Sequence, residues 1–248
     1  MTDLSFSFIA AIAATFFLAG IVKGVTGMGL PTVAMGVLGA IMPPVAAAAL
    51  LIVPSFVTNV WQLFAGPSFA CLLGRLWLMM VGIVIGTIAG ASLLAGGSTR
   101  WTTAALGVAL VVYAAYTLLA RQLAVSVRVE RWLSPLIGLA TGTVTGGTGV
   151  FVIPAVPYLQ ALGLGKDDLV QALGLSFTVS TIALTIGLAW HGAFRMENLA
   201  VSMLAILPAL LGMWTGQAIR QKVSPTTFRR GFLICLLLLG GELVIRSL

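Results

Sequence analysis

The sequence predicts an all-α polytopic membrane protein, built as two inverted repeats of about five hydrophobic segments each. Three observations carry that prediction. Of the 248 residues, 60% are apolar and 8% charged, where a soluble domain carries roughly a quarter charged residues. Apolar runs near the roughly 20 residues needed to cross a bilayer recur from end to end. Finally, a Thr/Gly-rich break between two apolar runs occurs twice, at Lys23-Gly24-Val25-Thr26-Gly27-Met28-Gly29-Leu30-Pro31 and at Thr143-Val144-Thr145-Gly146-Gly147-Thr148-Gly149-Val150.

Ten apolar segments follow one another. The first runs over 4–22 and the second over 28–42, on either side of the first break. Pro43-Pro44 turns the chain into a third, 45–65. After Gly66-Pro67 and a short link to Arg75 comes a fourth, 76–95. The turn Gly96-Gly97-Ser98-Thr99-Arg100 leads to a fifth, 101–120. A polar linker spans 121–132, so the chain divides into a first transmembrane repeat, 1–120, and a second, 133–248. The sixth segment covers 133–145 and the seventh 148–162, interrupted by Pro154 and Pro157. Lys166-Asp167-Asp168 starts the eighth, its acids suited to a first helical turn, and it extends to Trp190. The ninth covers 199–219 and the tenth 231–245.

Residue matches in a shared order support the duplication. Gly27 and Gly29 pair with Gly147 and Gly149 at an offset of 120, which sets Thr143 opposite Lys23. Ser55-Phe56 pairs with Ser176-Phe177 at 121, and Gly86, Gly90 and Ser98 pair with Gly212, Gly216 and Ser224 at 126. Drifting offsets are what loop insertions produce.

Charge sets the crossing pattern. If the segments around each break make an even number of crossings, one side collects Arg75, Arg121, Arg128, Arg131, Lys166, Arg220, Lys222, Arg229 and Arg230. The other collects Arg100, Arg195 and Arg246, a split of nine to three. Eight spans arranged 4+4 is the alternative, and it divides the basic loop residues six and six. The positive-inside rule favours the first. It places the linker in the cytoplasm, both termini outside, and the halves in opposite orientations.

Several residues could carry chemistry. Glycine breaks in corresponding positions of two halves point to a central binding site near the midplane. Met28 and Thr148 would each begin a helix after a break, where free N–H groups and the helix dipole favour an anion. Gly27, Gly29, Gly146, Gly147 and Gly149 would open the backbone, and Thr26, Thr145 and Thr148 would donate hydrogen bonds. The competing reading is a tight helix turn with no ligand. Lys23 is the one charge well inside the predicted core, either a functional cation or a lysine snorkelling to the interface. Ser55, Thr58, Asn59 and Gln62 form a polar stripe on the third segment. Gln171, Thr178, Thr181 and Thr185 form another on the eighth, beside Ser176 and in register with Gly174. Such stripes face a partner helix or a polar path rather than lipid.

Other features exclude function classes. Asp3, Glu130, Asp167, Asp168, Glu197 and Glu242 all fall near segment ends or in loops, so no carboxylate proton relay is predicted in the core. His191 stands alone, and no metal site, cofactor motif or nucleophile–base pair is expected. The net charge of +7 reads as membrane topology rather than nucleic-acid binding. Gly82, Gly86, Gly90, Gly212 and Gly216 read as helix contacts. Cys71 and Cys235 match no metal or redox spacing, and a buried structural role is expected. The apolar N-terminus lacks a basic lead and carries Asp3, so it reads as the first membrane segment rather than a cleaved signal.

In size, duplicated halves and the glycine-rich break opening each half (Thr26-Gly27-Met28-Gly29-Leu30-Pro31 and Thr145-Gly146-Gly147-Thr148-Gly149-Val150), the whole chain resembles the sulfite exporter family, TauE/SafE. The resemblance implies a multi-pass carrier of the bacterial inner membrane for small anions, with sulfite, sulfoacetate and related organosulfur compounds as the substrate class. The expectation is therefore a secondary transporter without a cofactor. Its ligand would contact Lys23, Thr26, Gly27, Gly29, Asn59, Thr145, Gly146, Gly147, Thr148, Gly149, Ser176 and Thr178. Access would alternate as the halves rock against each other. Its partners would be the small anion and the lipid bilayer, with a homo-oligomer left open. An anion channel is the nearest alternative and an intramembrane enzyme a more distant one.

Overall fold

The computed structural model describes residues 6–119, 124–193, 196–222 and 224–248. All regular structure among them is helical: α1 (Phe6–Thr26), α2 (Leu30–Ile41), α3 (Pro44–Leu63), α4 (Phe69–Gly96), α5 (Thr99–Leu119), α6 (Val127–Thr148), α7 (Ala155–Ala161), α8 (Lys166–Trp190), α9 (Met196–Leu204), α10 (Ile206–Arg220) and α11 (Pro225–Ser247). Six helical stretches are long and apolar enough to cross a membrane, in α1, α3, α4, α5, α8 and the α9–α10 run. α6 and α11 match them in length but carry more charge. The 12-residue α2 rises only ~18 Å, too short to cross alone. Arg121, Arg195 and Asp3 lie outside the described residues.

Several boundaries differ from those the sequence suggests. α6 begins at Val127 and takes in Arg128, Glu130 and Arg131 from the expected linker, because Glu130 is buried in a two-pronged ion pair with Arg75 of α4 (2.7 and 2.8 Å). α4 and α11 also start earlier than expected, α4 taking in Arg75 and α11 taking in Arg229 and Arg230. The seventh segment is broken: Ala155–Ala161 winds up as α7 only after non-helical backbone over 149–154. Neither Met28 nor Thr148 begins a helix. α1 runs on through Lys23 to Thr26, and Thr148 is the last residue of α6.

Two parallel helix pairs lock the bundle. On α4, Gly82, Gly86 and Gly90 face the backbone of α6 at Pro135, Leu139 and Thr143. From the other side Gly138, Gly142 and Gly146 face Met79, Ile83 and Thr87. A Cβ added to any of these six would lie within 2.2–2.7 Å of a carbonyl oxygen, so the backbones touch directly, the close approach that small residues permit in membranes. α1 and α10 repeat the pattern with Gly20 and Gly24 against Gly212 and Gly216. Two further pairs run antiparallel. Gly107 of α5 meets Gly240 of α11, and Gly174 of α8 meets Gln62 and Leu63 of α3.

Pro54 lies inside α3 and cannot donate to the carbonyl of Leu50. In lipid that oxygen would be an orphan. Ser202 of α9 supplies the missing donor, its Oγ giving 2.7 Å to Leu50 O and accepting the Val53 N–H at 3.3 Å.

Both cysteines are exposed on the outer helix surface, against the expectation of burial. A lipid-facing surface is as apolar as a core, so hydrophobicity alone does not separate the two.

Candidate functional site

The first break is built by capping. Gly27 takes φ 76° and Gly29 φ 100°, left-handed values that only glycine adopts readily. The Gly27 N–H closes onto Lys23 O at 2.7 Å. Thr26 Oγ1 donates to Val22 O at 2.8 Å and accepts the Met28 N–H at 3.3 Å. The second break repeats this geometry: Gly149 has φ 71°, its N–H closes onto Thr145 O at 2.7 Å, and Thr148 Oγ1 donates to Val144 O and accepts the Val150 N–H.

The corresponding residues are therefore Gly27 and Gly149, Thr26 and Thr148, Lys23 and Thr145, an offset of 122 rather than 120. Both breaks contain Gly-X-Gly, and only backbone conformation tells which glycine caps the helix. Thr143, set opposite Lys23 from sequence, is exposed and bonds its own helix at Leu139 O. Gly146 faces the backbone of α4, and Gly147 lies in the last turn of α6, where an added Cβ would meet nothing closer than Leu93 at 3.8 Å. The threonine hydroxyls expected to donate to a ligand instead saturate the carbonyls at the helix ends, the Thr145 hydroxyl at Thr141 O included.

Lys23 is 3% exposed. Its Nζ donates to Thr58 Oγ1 at 3.2 Å and to Asn59 Oδ1. Asn59 passes the contact on, its Nδ2 donating 3.3 Å to Thr181 Oγ1 of α8. Among the described residues the ion pairs are Arg75–Glu130 and Arg246–Glu242, and Lys23 belongs to neither. A cation deep in a bundle costs about 3 kcal/mol even on the mildest insertion scale. Here it has neutral partners only.

Lys23 also lines a pocket of about 450 Å³ with Gly27, Gln62, Gln217, Arg220 and Gln221. Among the described residues no carboxylate lines it. Gln62 closes one wall, its Nε2 donating to Gly27 O at 2.8 Å and to Val170 O of α8 at 2.9 Å. Gln217 and Arg220 were not singled out from sequence. The available signal was their spacing from Gly212 and Gly216, which turns them toward the glycine face of α1.

Of the other expected site residues, Thr178 bonds Gly174 O at 2.7 Å. Ser176 is buried and its Oγ has no partner, as is true of Ser55 and Ser180 on the same two helices. No residue of the second break lines the Lys23 pocket. The sequence-derived residues thus separate into a cluster around Lys23, Gly27 and Asn59, and a set near Gly149 that caps and packs.

Membrane-length helices thus surround a buried lysine that has no acidic partner among the described residues and lines a polar pocket. The family model for the sulfite exporter TauE/SafE matches residues 12–243. The chain belongs to this family of membrane transporters. Neither the search of curated proteins nor that of solved structures returned a match.

Proposed function

We propose that the protein is a secondary transporter of small anions, a sulfur oxyanion or organosulfonate such as sulfite or sulfoacetate, in the bacterial inner membrane. The observation that carries this reading is Lys23: buried, without an acidic partner among the described residues, and lining a pocket whose other charged residue, Arg220, is also a cation. A permeating anion is the missing counter-charge. Lys23 supplies the attraction, Thr58 and Asn59 orient its ammonium, and Gln217 and Gln221 offer amide donors at the mouth.

The same reading takes residues 1–120 and 133–248 as inverted repeats joined by a cytoplasmic linker. Corresponding helices α3 and α8 run antiparallel, as do α5 and α11, and this supports inversion. So does the exchange of partners, in which α1 packs on α10 as α6 packs on α4. Arg75, Arg128, Arg131, Lys166, Arg220, Lys222, Arg229 and Arg230 belong to helix ends that meet at one end of the bundle. Arg100 meets the C-terminus at the other. Positive-inside charge makes the first end cytoplasmic.

Alternating access is favoured by an asymmetry between the halves. At offsets of 122 and 126 the pocket residues Lys23, Gln62, Gln217 and Arg220 correspond to Thr145, Leu184, Ala91 and Leu94. There the bundle is shut: Ala91 Cβ would stand 2.5 Å from a Cβ on Gly187, the counterpart of Ala65. One gate is polar and open and its counterpart apolar and closed, as an inward-facing carrier requires.

The test is uptake of labelled sulfite and sulfoacetate into vesicles containing the purified protein, with chloride and acetate as competitors. Saturable uptake accelerated by unlabelled anion on the far side, and lost in Lys23→Ala, is the expected result. Uptake that neither saturates nor responds to counter-flow would mark a channel instead.

A further inference from the structure

The Lys23 pocket borders the apolar outer face of the bundle. Trp61 of α3 and Ala65, just past its end, line it and also line a neighbouring apolar groove of about 660 Å³, with Phe56, Val57, Val60 and Phe64. α3 carries the polar stripe on its inner face, yet it turns these aromatic residues outward, and Trp61 is 66% exposed. The polar pocket and the lipid-facing groove thus lie side by side, meeting at Trp61 and Ala65. From Phe64 to Phe56 the groove follows α3 for ~12 Å, close to the thickness of one hydrocarbon leaflet, roughly 15 Å. Its polar end lies where α10 finishes at Arg220 and Gln221, the end of the bundle that gathers the basic residues.

We propose that an anionic phospholipid of the leaflet at this basic end seats across this junction, its phosphate on Arg220 at the pocket mouth and one acyl chain along Phe56, Val60, Trp61 and Phe64. Charge complementarity selects the occupant. The mouth offers a guanidinium, the floor an ammonium, and no carboxylate among the described residues opposes a phosphate. A neutral lipid fits the groove equally well but leaves the mouth unanswered. Chain direction agrees too, since a lipid of that leaflet has its head at the helix ends and its tail pointing to the midplane. The headgroup stands in the route by which an anion reaches Lys23, so lipid composition tunes access to the pocket.

This inference concerns the mouth and the groove, and it is tested without any transported anion. Protein stripped of lipid in a neutral detergent is supplied with phosphatidylglycerol, phosphatidylcholine or soluble glycerol phosphate. Thermal unfolding and the number of lipids retained in native mass spectrometry are read. Phosphatidylglycerol is expected to stabilise more than phosphatidylcholine. Arg220→Ala should weaken its binding about fivefold, the share of one basic residue near an anionic surface. Val60→Trp, which fills the groove, should weaken both lipids. Arg246→Ala, at the other end, should weaken neither, and phosphatidylcholine binding unchanged in Arg220→Ala shows that this variant is folded. Equal stabilisation by the two lipids, or phosphatidylglycerol binding unchanged in Arg220→Ala, would overturn the proposal. So would glycerol phosphate alone matching the lipid, because the groove would then have no part. Uptake assays in phosphatidylcholine vesicles keep the transport reading separately testable.

Discussion

Asn59 Nδ2 donates to Thr181 Oγ1 at 3.3 Å, and the two residues lie 122 positions apart, the same offset that relates the two helix-capping glycines. On the proposed repeat, each of these residues would thus meet its own counterpart, and Asn59 simultaneously accepts from Lys23. The hydrogen bond couples the buried cation to the second half of the chain through a single side chain.

Asn59→Leu should therefore disable the pocket without unfolding the bundle. A hydrogen bond to a charged group contributes ~1.5–3 kcal/mol, so anion affinity should fall at least about tenfold. Thr181→Val removes only the far acceptor and should cost less. Calorimetric titration with the transported anion measures both, and wild-type affinity in Asn59→Leu would remove Asn59 from the site.

The two pocket cations should separate kinetically. Lys23→Gln deletes the buried charge and should abolish saturable uptake at accessible concentrations. Arg220→Ala removes an exposed charge, worth at most about 1 kcal/mol, and should raise KM a few-fold with kcat retained. Initial-rate uptake measures the split, and equal effects of the two variants would contradict the assigned depths.

The glycines of the second break should differ sharply among themselves. Gly149→Ala forces a Cβ onto a residue at φ 71° with Met35 only 2.9 Å away, a change of roughly 1–2 kcal/mol from backbone strain alone. Gly147→Ala meets nothing closer than 3.8 Å and should be near neutral. Thermal unfolding in detergent ranks them. The reverse order would restore the offset of 120.

That pair of glycines shows what was legible in the sequence. Segment positions are written in hydrophobicity, and the family follows from the whole-chain pattern. The sequence matches Gly27 with Gly147 and Gly149 almost equally well, because it holds no record of φ. The hydroxyls of Thr26, Thr145 and Thr148 read as ligand donors for a similar reason. Sequence shows a donor but not the nearer carbonyl that claims it. Arg220 looked like a topology signal at a helix end, and only the parallel packing of α10 on α1 brings it to the pocket with Lys23.

Ser202 and Pro54 should be energetically coupled. Ser202→Ala leaves the Leu50 carbonyl buried without a donor, which costs ~1–3 kcal/mol. In Pro54→Ala the helix restores its own N–H donor, so the same Ser202→Ala change should then cost much less. A double-mutant cycle by thermal unfolding reads the coupling, and additive effects would mean that water or another group serves Leu50.

Topology is open to direct labelling. With Cys71 and Cys235 replaced by Ala, single cysteines at Arg100 and Lys222 should react from opposite faces of intact cells. Labelling of both from one face would overturn the inverted arrangement.

The glycine ladders decide which pieces of such a carrier can move as bodies. α1 is bound backbone-to-backbone to α10, and α4 to α6, so each block combines the opening helix of one half with a later helix of the other. On the proposed reading, residues 1–120 and 133–248 are not expected to rock apart as units, because each holds a helix of the other backbone-to-backbone. In the transport cycle proposed above, the bodies expected to move are two hybrid blocks turning about the α3–α8 pair, so that the unit of sequence repetition would not be the unit of motion.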